Sequence, residues 1–303
     1  MSHTDFVHLH CHTEYSLLNS AVRIKELMQR AVELKFPAIA LTDHGNLFAA
    51  VQFYTEGMKK GVKPILGMDA YVSPSSRFEK QAHGIKEASF HLTLLAVNEK
   101  GYKNLLKLTS AGYLEGFYYR PRVDKELLAE HAEGLIALSG DLKGEVPYYI
   151  LNDQPAEYRR AIGEFVDIFK SNFYLEIMDH GLEPERKLIH EYLKLSKSYN
   201  LKMVATNDVH YIYRQQAHAH DALICIGAGS TLDEQHRFRY SGDQYYLKSI
   251  DEMQALFRDF PEAVKITREI ADRCNVELDF KKTHLPHFEP PAGKTQQQYL
   301  EER

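Results

Sequence analysis

Residues 7–12 read Val-His-Leu-His-Cys-His, so His8, His10 and His12 fall at every second position of an otherwise apolar run. In an extended strand alternate side chains share a face, and this spacing predicts three imidazoles converging on one side while Val7, Leu9 and Cys11 pack the other. Imidazoles gathered in this way are ligands for a divalent ion of the zinc or manganese type. The plainer alternative is a hydrogen-bonded polar strand face, and an expression tag would be an unbroken run. Further donors close other apolar runs: Asp43 and His44 after Ile39-Ala40-Leu41, Asp69 after Gly67-Met68, and Asp208 and His210 after Met203-Val204-Ala205. Each alone is weak and more often a turn or helix cap, but together they predict a metal cluster. Asp141 follows the run 134–139, where a helix N-cap is the simpler explanation. His91 stands at the front of 91–97, the wrong end of a strand for such a site. His83, His131, His180, His190, His218, His220, His236, His284 and His287 have no strand-end context and read as surface or structural.

The elements that must position these donors alternate along the chain. Apolar runs at 6–12, 38–45, 63–72, 91–97, 134–140, 173–179 and 202–211 read as strands. Between them lie helical patterns such as 23–35, where Ile24, Leu27, Met28, Ala31 and Leu34 recur at helical spacing, and 183–200. About seven strand-then-helix units predict an α/β fold with a largely parallel sheet closed into a barrel. In such a barrel the C-terminal strand ends share one rim, which gathers the candidate ligands. From about residue 214 the pattern turns helical, with a capping box at Ser249 and Glu252 and Pro261 in a first helical turn. The expected division is a domain over 1–280, with a barrel over about 5–213 and a helical extension over about 214–280. A Pro- and Gln-rich linker follows over 281–303.

Composition sets outer limits. The 303 residues carry 37 basic and 42 acidic side chains, net charge -5, with no long run of either sign. A broad basic surface for nucleic acid is therefore not expected, and attraction for phosphate would come from local clusters or bound metal. Cys11, Cys225 and Cys274 are widely spaced and odd in number, which suits neither a disulfide framework nor a CxxC zinc site. No signal-like leader or membrane-length apolar run appears, so a cytoplasmic location is expected.

The stretches His8–Ser16, Leu41–Tyr54, Lys63–Val72, His91–Leu105, Tyr118–Asp124, Glu133–Val146 and Ala205–Tyr211 resemble the PHP (polymerase and histidinol phosphatase) domain. More narrowly they resemble the form found at the N-terminus of the alpha subunit of bacterial replicative DNA polymerase III. The likeness continues through Tyr245–Leu278 to Leu285–Phe288, a tail that separate histidinol phosphatases lack. The resemblance implies a distorted seven-stranded barrel, (β/α)7, holding two to three divalent metal ions (Zn, Mn or Mg). It implies His10, His12, His44, Asp69, His91, Asp141, Asp208 and His210 as ligands, with His8 behind the first pair. Asp69 falls where the family usually has a bridging glutamate, and Asp141 where polymerase members often have cysteine. Asn19 falls where an aspartate is usual. These changes favour hard cations such as manganese or magnesium over zinc and weaken the position shared by His44 and His210. Asn19 and Asp43 remain weak or supporting candidates, and Arg120 and Arg122 are candidate phosphate contacts.

The activity implied is a metal-dependent phosphoesterase, expected as a 3′→5′ exonuclease acting on a primer end. The alternative is a structural module that supports the polymerase and docks a proofreading subunit. A small-molecule phosphatase fits the tail poorly. The implied partners are DNA, the polymerase body of the same parent chain, and replisome subunits including a proofreading exonuclease, with no membrane. The carboxylates for nucleotide addition are expected outside this stretch, so the chain itself is not expected to polymerise DNA.

Overall fold

In the computed structural model, which describes residues 5–82, 84–282 and 288–303, eight strands form one mixed sheet. They are β1 (Ala38–Leu41), β2 (Lys63–Val72), β3 (Phe90–Ala96), β4 (Phe117–Tyr118), β5 (Arg120–Val123), β6 (Leu135–Leu138), β7 (Phe173–Ile177) and β8 (Met203–Ala205). The main path runs β1-β2-β3-β6-β7-β8, while the β4–β5 hairpin joins the far end of β2.

The path closes through residues 8–12. Their carbonyls accept hydrogen bonds from Ala40 N to His8 O and from Thr42 N to Cys11 O, both 2.9 Å, on the β1 side. On the other side Val209 N donates to His10 O at 3.1 Å, and His12 N donates to Val209 O at 2.9 Å. A parallel bridge pairs Cys11 with Val209. The result is a distorted seven-membered barrel whose first member is an irregular extended segment.

The barrel is largely parallel, as expected, with β3 the one member that runs antiparallel to its neighbours β2 and β6. One expectation is corrected by this geometry: the histidine run does not hold strict alternation. Leu9 packs into the inner core and Cys11, two residues on, into the outer one. The chain therefore changes face between them, and His8 is separated from His10 and His12.

Eleven α-helices surround the described sheet: α1 (Ile24–Glu33), α2 (Ala50–Lys60), α3 (Glu99–Leu114), α4 (Lys125–Glu130), α5 (Glu145–Leu151), α6 (Pro155–Phe169), α7 (Glu183–Tyr199), α8 (Ala217–Ala228), α9 (Ile250–Leu256), α10 (Pro261–Arg273) and α11 (Gln296–Glu301). Helix α1 buries Ile24, Leu27, Met28 and Ala31, the stripe its spacing dictates. Its neighbour α2 stops at Gly61, which takes the left-handed backbone (φ 71°) that terminates helices cheaply. The capping box on α9 and the proline opening α10 stand as their sequences require. Residues 281–303 are not wholly irregular, since α11 occupies part of them; residues 283–287 of that stretch lie outside the described residues.

Helix α10 is part of the barrel itself. Ile266, Ile270, Ala271 and Cys274 pack with Val7, Leu9, Ala40, Ile65 and Leu138 in the inner core. Thr267 Oγ1 accepts from Val7 N at 3.0 Å, and Lys63 Nζ, at the start of β2, donates to Ala271 O at 2.7 Å. The helix thus plugs the rim at which the parallel strands begin. Ile270 is fully buried there. Ile270→Ala is expected to cost about 3 kcal/mol through lost burial and a residual cavity, read as a lower urea midpoint; an unchanged midpoint would show the plug to be dispensable.

Candidate metal centre

The rim opposite α10 collects the polar residues. His44 follows β1, Asp69 lies in β2, Asp141 follows β6, and Asp208 and His210 follow β8. His91 is near the start of β3, and the reversal of that strand brings its beginning to the rim where the parallel strands end. That is why a residue at the apparently wrong end joins the site. Gly45 completes the turn at His44. Its φ is +61° and a Cβ there would overlap Pro121 and Tyr71, so glycine is the residue that fits.

Three overlapping groups of donors result: His10–His12–Asp208, His12–His44–His210 and His44–Asp69–His91. Asp208 Oδ1 lies 3.1 Å from His12 Nε2, 3.0 Å from His210 Nε2 and 3.7 Å from His10 Nε2. Asp69 Oδ2 lies 2.8 Å from His44 Nδ1 and 3.1 Å from His91 Nδ1. Asp141 joins the edge, with Oδ1 3.3 Å from His91 Nδ1 while also accepting from Lys143 N. Its turn-forming role and its place at the site are compatible.

A second layer fixes the rings. His10 Nδ1 donates to Glu176 Oε1 at 2.8 Å, and Glu176 is itself held by Thr93 Oγ1, Thr206 Oγ1 and Gly140 N. Ser16 donates to Asp43 Oδ1, leaving its oxygen to accept from His12 Nδ1 at 3.1 Å and from His44 N at 3.2 Å. His210 Nδ1 donates to Asn19 O at 2.7 Å. In all three rings the hydrogen bond that Nδ1 donates behind the ring fixes its orientation and leaves Nε2 toward the centre, so that binding an ion there needs at most the loss of the Nε2 proton. Asp43 is therefore a support, bound to Thr13 and Ser16 instead of facing the cluster.

The electrostatics agree with a cation site. Burial opposes charge on His10, yet Glu176 and Asp208 outweigh it and raise the imidazole to about 10. His91 is raised to about 9 against the same opposition, by Asp69 and Asp141. Burial lowers His44 to about 4, with His91 and His210 adding to the effect. Burial also works against charge on Asp69 and Asp208, but the neighbouring histidines hold both well below the usual carboxylate range. The donors fit a divalent ion on a further count. His44 Nε2 and Asp69 Oδ1 are buried polar atoms with no hydrogen-bond partner among the described residues, an arrangement that is costly in a protein interior unless a ligand or ion meets it. Mixed imidazole and carboxylate donors suit zinc or manganese.

Other expected site residues fall elsewhere. His8 is not grouped with His10 and His12: its Nε2 meets Lys248 O at 2.8 Å, and its ring packs edge-on against Phe6 and Phe36. Asn19 contributes its backbone carbonyl to His210 and His220, while its amide oxygen faces Tyr240 Oη at 3.3 Å. Arg122 is fully buried and spends its guanidinium on the carbonyls of Gly116, Ala88, Arg77 and Glu79 and on Ser73. That geometry removes it as a phosphate contact. Arg120 lines the cleft beside the cluster, paired with Glu87 at 2.8 Å. Of the histidines read as surface or structural, His180 is a buried strut on Glu185 and Asn207 O, and His220 sits beside His210. His83, His284 and His287 lie outside the described residues.

Sequence reasoning missed Glu176, Ser16 and Tyr240. Glu176 had a signal, as the one charged residue inside the apolar run 173–177. Tyr240, whose Oη is 3.1 Å from His210 Nε2, had none, because a loop brings it from thirty residues away.

Residues 8–180 match the PHP domain model. The chain is 45% identical to DNA polymerase III subunit alpha of Thermus aquaticus over 98% of its own length and 25% of that relative. It is 42% identical to DNA polymerase III subunit alpha of Borreliella burgdorferi, over 98% of this chain and 26% of the relative. The chain thus spans about a quarter of the length of these curated relatives. Among solved structures, an amidohydrolase from Chromobacterium violaceum overlaps 67% of this chain and 87% of its own, at 13% identity and a TM-score of 0.43. A two-domain protein of Bacteroides vulgatus, containing a predicted PHP-like metal-dependent phosphoesterase, overlaps 69% of this chain and 55% of its own at 14% identity and a TM-score of 0.39. Membership rests on the sequence match and not on these partial overlaps.

Placing the two arginines generates a direct comparison. Arg122→Met leaves four carbonyls unmatched and is expected to cost about 3–5 kcal/mol, whereas Arg120→Ala loses only a half-exposed ion pair and should stay within about 1 kcal/mol. Paired urea titrations read both, and equal losses would contradict the assignment.

Proposed function

The chain belongs to the PHP domain family, and on that premise we propose that it is the PHP module of a bacterial DNA polymerase III alpha subunit, acting as a metal-dependent 3′→5′ exonuclease on primer ends. The observation that carries this reading is the interlocked set of seven donors, His10, His12, His44, Asp69, His91, Asp208 and His210, within which His44 Nε2 and Asp69 Oδ1 are buried without a hydrogen-bond partner among the described residues. Two divalent ions fit it best. One would be held by His10, His12 and Asp208, and the other by His44, Asp69 and His91 with Asp141 at the edge. Such ions supply a hydroxide near neutral pH and positive charge against the phosphate.

The protein's own residues do the positioning. Glu176, Ser16 and the Asn19 carbonyl hold the ring planes of His10, His12 and His210, so the donors need not reorganise when the ions arrive. A third ion is disfavoured. Tyr240 Oη crowds His210 Nε2, and Asn19 offers a neutral amide where a carboxylate would be the better ligand for a hard cation. The relatives' greater length supports a polymerase body of the same parent chain as the physical partner, with DNA as substrate and replisome subunits as further partners in the cytoplasm. Among the described residues no helix is long and apolar enough to cross a membrane.

Elemental analysis of the purified chain is expected to give two metals per molecule, and a 3′-labelled primer should lose nucleotides when manganese is added. His12→Ala should lose bound metal and nucleotide release together. Glu176→Gln, which removes the charge behind His10 without touching the donor atoms themselves, should weaken metal binding by about 10–100-fold, with a melting curve to check that the bonds from Thr93, Thr206 and Gly140 are not lost with the fold. Metal retained without any cleavage would overturn the nuclease and favour the reading as a supporting module.

A further inference from the structure

Two hollows flank the cluster, and they differ in charge. The smaller, about 190 Å³, presents Asp141, Glu176, Glu185 and Asp208 against Lys143 and Arg239. The larger, about 590 Å³, opens outward from His44 and His91, and its charged lining is Lys86, Arg120 and Lys143 against Glu87 alone. A cleft with an excess of cations, in a chain whose net charge is -5, is a local feature that favours a polyanion.

The same cleft is edged with aromatic rings. Tyr113, Phe117, Tyr119 and Phe238 line it and are 40%, 52%, 63% and 43% exposed. Single exposed apolar residues are ordinary, but four rings lining one cleft, with Tyr113 and Phe117 stacked 6.3 Å apart, are more than that. Cations are interleaved with them: Lys86 Nζ lies 5.1 Å and Lys143 Nζ 5.6 Å from the centre of the Phe238 ring. Tyr119, the most exposed of the four, holds a left-handed backbone (φ 60°) that is uncommon for an aromatic residue and costs free energy. The fold spends that strain on presenting the ring to solvent.

We infer that this cleft is a track for the unpaired 3′ segment of a DNA strand. Bases stack on Phe117, Tyr119 and Phe238, while phosphates meet Lys86, Arg120 and Lys143. The inference rests on the proposed nuclease function and adds the form of its substrate: a frayed single strand, not a paired terminus. Stacking on exposed rings requires base faces released from their duplex neighbours, and alternating rings and cations are the pattern that binds single strands without reading sequence. The smaller hollow is lined by Asp141 and Asp208, which the proposed function commits to the ions, whereas the cations lining the larger cleft remain to meet phosphates leading to the cluster.

Fluorescence anisotropy of labelled oligothymidylate on the 303-residue chain, with a chelator present, tests the track separately from catalysis. Phe117→Ala and Tyr119→Ala are each expected to weaken binding about tenfold. Phe280→Ala, an exposed ring outside the cleft, should not change it. Lys86→Ala should lower the slope of log affinity against log salt by about 0.7, the value for one phosphate contact on a single strand. The side chains of Phe117, Tyr119 and Lys86 are exposed, and a melting curve checks that each variant folds. Absence of binding, unchanged binding in both ring variants, or equal affinity for a blunt duplex would overturn the inference. Hydrolysis of bis(p-nitrophenyl) phosphate with manganese, run in parallel, reports on the nuclease reading alone. Its absence would refute that reading while the anisotropy still decides the track.

Discussion

The site depends on how the first strand-like segment closes the barrel. Residues 8–12 hydrogen-bond to the residues around β1 on one side and to Val209 on the other. These bonds bring His10 and His12 beside Asp208 and His210, nearly two hundred residues away in the chain. A regular strand would have kept His8 with the other two histidines. The change of face between Leu9 and Cys11 instead directs two apolar side chains into the inner core, one imidazole to a helix-side pocket and two imidazoles to the rim. Local irregularity at the closing seam is thus what concentrates the donors, consistent with the tendency of bulges and kinks to appear where a side chain must be re-aimed.

Holding so many titratable groups away from water is expensive unless each is matched. The structure meets this by layers. Glu176 satisfies His10 and is itself met by two threonines and a backbone amide, while Ser16 links Asp43 to His12 and His44. The carboxylates then hold positive charge on His10 and His91 against the effect of burial. A field that retains protons on buried imidazoles also favours any other cation that enters. The fit to a divalent ion likewise lies in the balance of buried carboxylates and imidazoles and not in a single ligand.

Much of this was legible in the sequence, for definable reasons. Strands and helices announce themselves by local periodicity, so α1, α9, α10 and the principal strands were placed by residue type alone. The donors at His44, Asp69, Asp208 and His210 were legible because parallel strands share a rim. His91 was not, since direction within a sheet is a tertiary property, and only the resemblance to the family selected it. His8 was overcounted because alternation assumes an unbroken strand. Arg122 reads from sequence as an ordinary loop cation beside Arg120. Its burial is set by carbonyls from four other positions, which no spacing rule brings together. Tyr240 was invisible for the same reason.

Average composition does not describe the charge around the cluster. A net charge of -5 argues against nucleic acid if charge is averaged over the molecule. Attraction near a surface is decided within about a Debye length, roughly 8–10 Å at moderate salt, and on that scale the two hollows beside the cluster have opposite character. The acidic one shares Asp208 and Asp141 with the donor groups, whereas the basic one is built from the β4–β5 hairpin, the loop before β3 and the turn after β6. The hairpin is held by Arg122, through Gly116 O on one side and the carbonyls of Arg77, Glu79 and Ala88 on the other. A residue that reaches no ligand therefore fixes the wall that carries Tyr119 and Arg120, while Lys143 faces the same cleft from the turn after β6, which Arg122 does not touch.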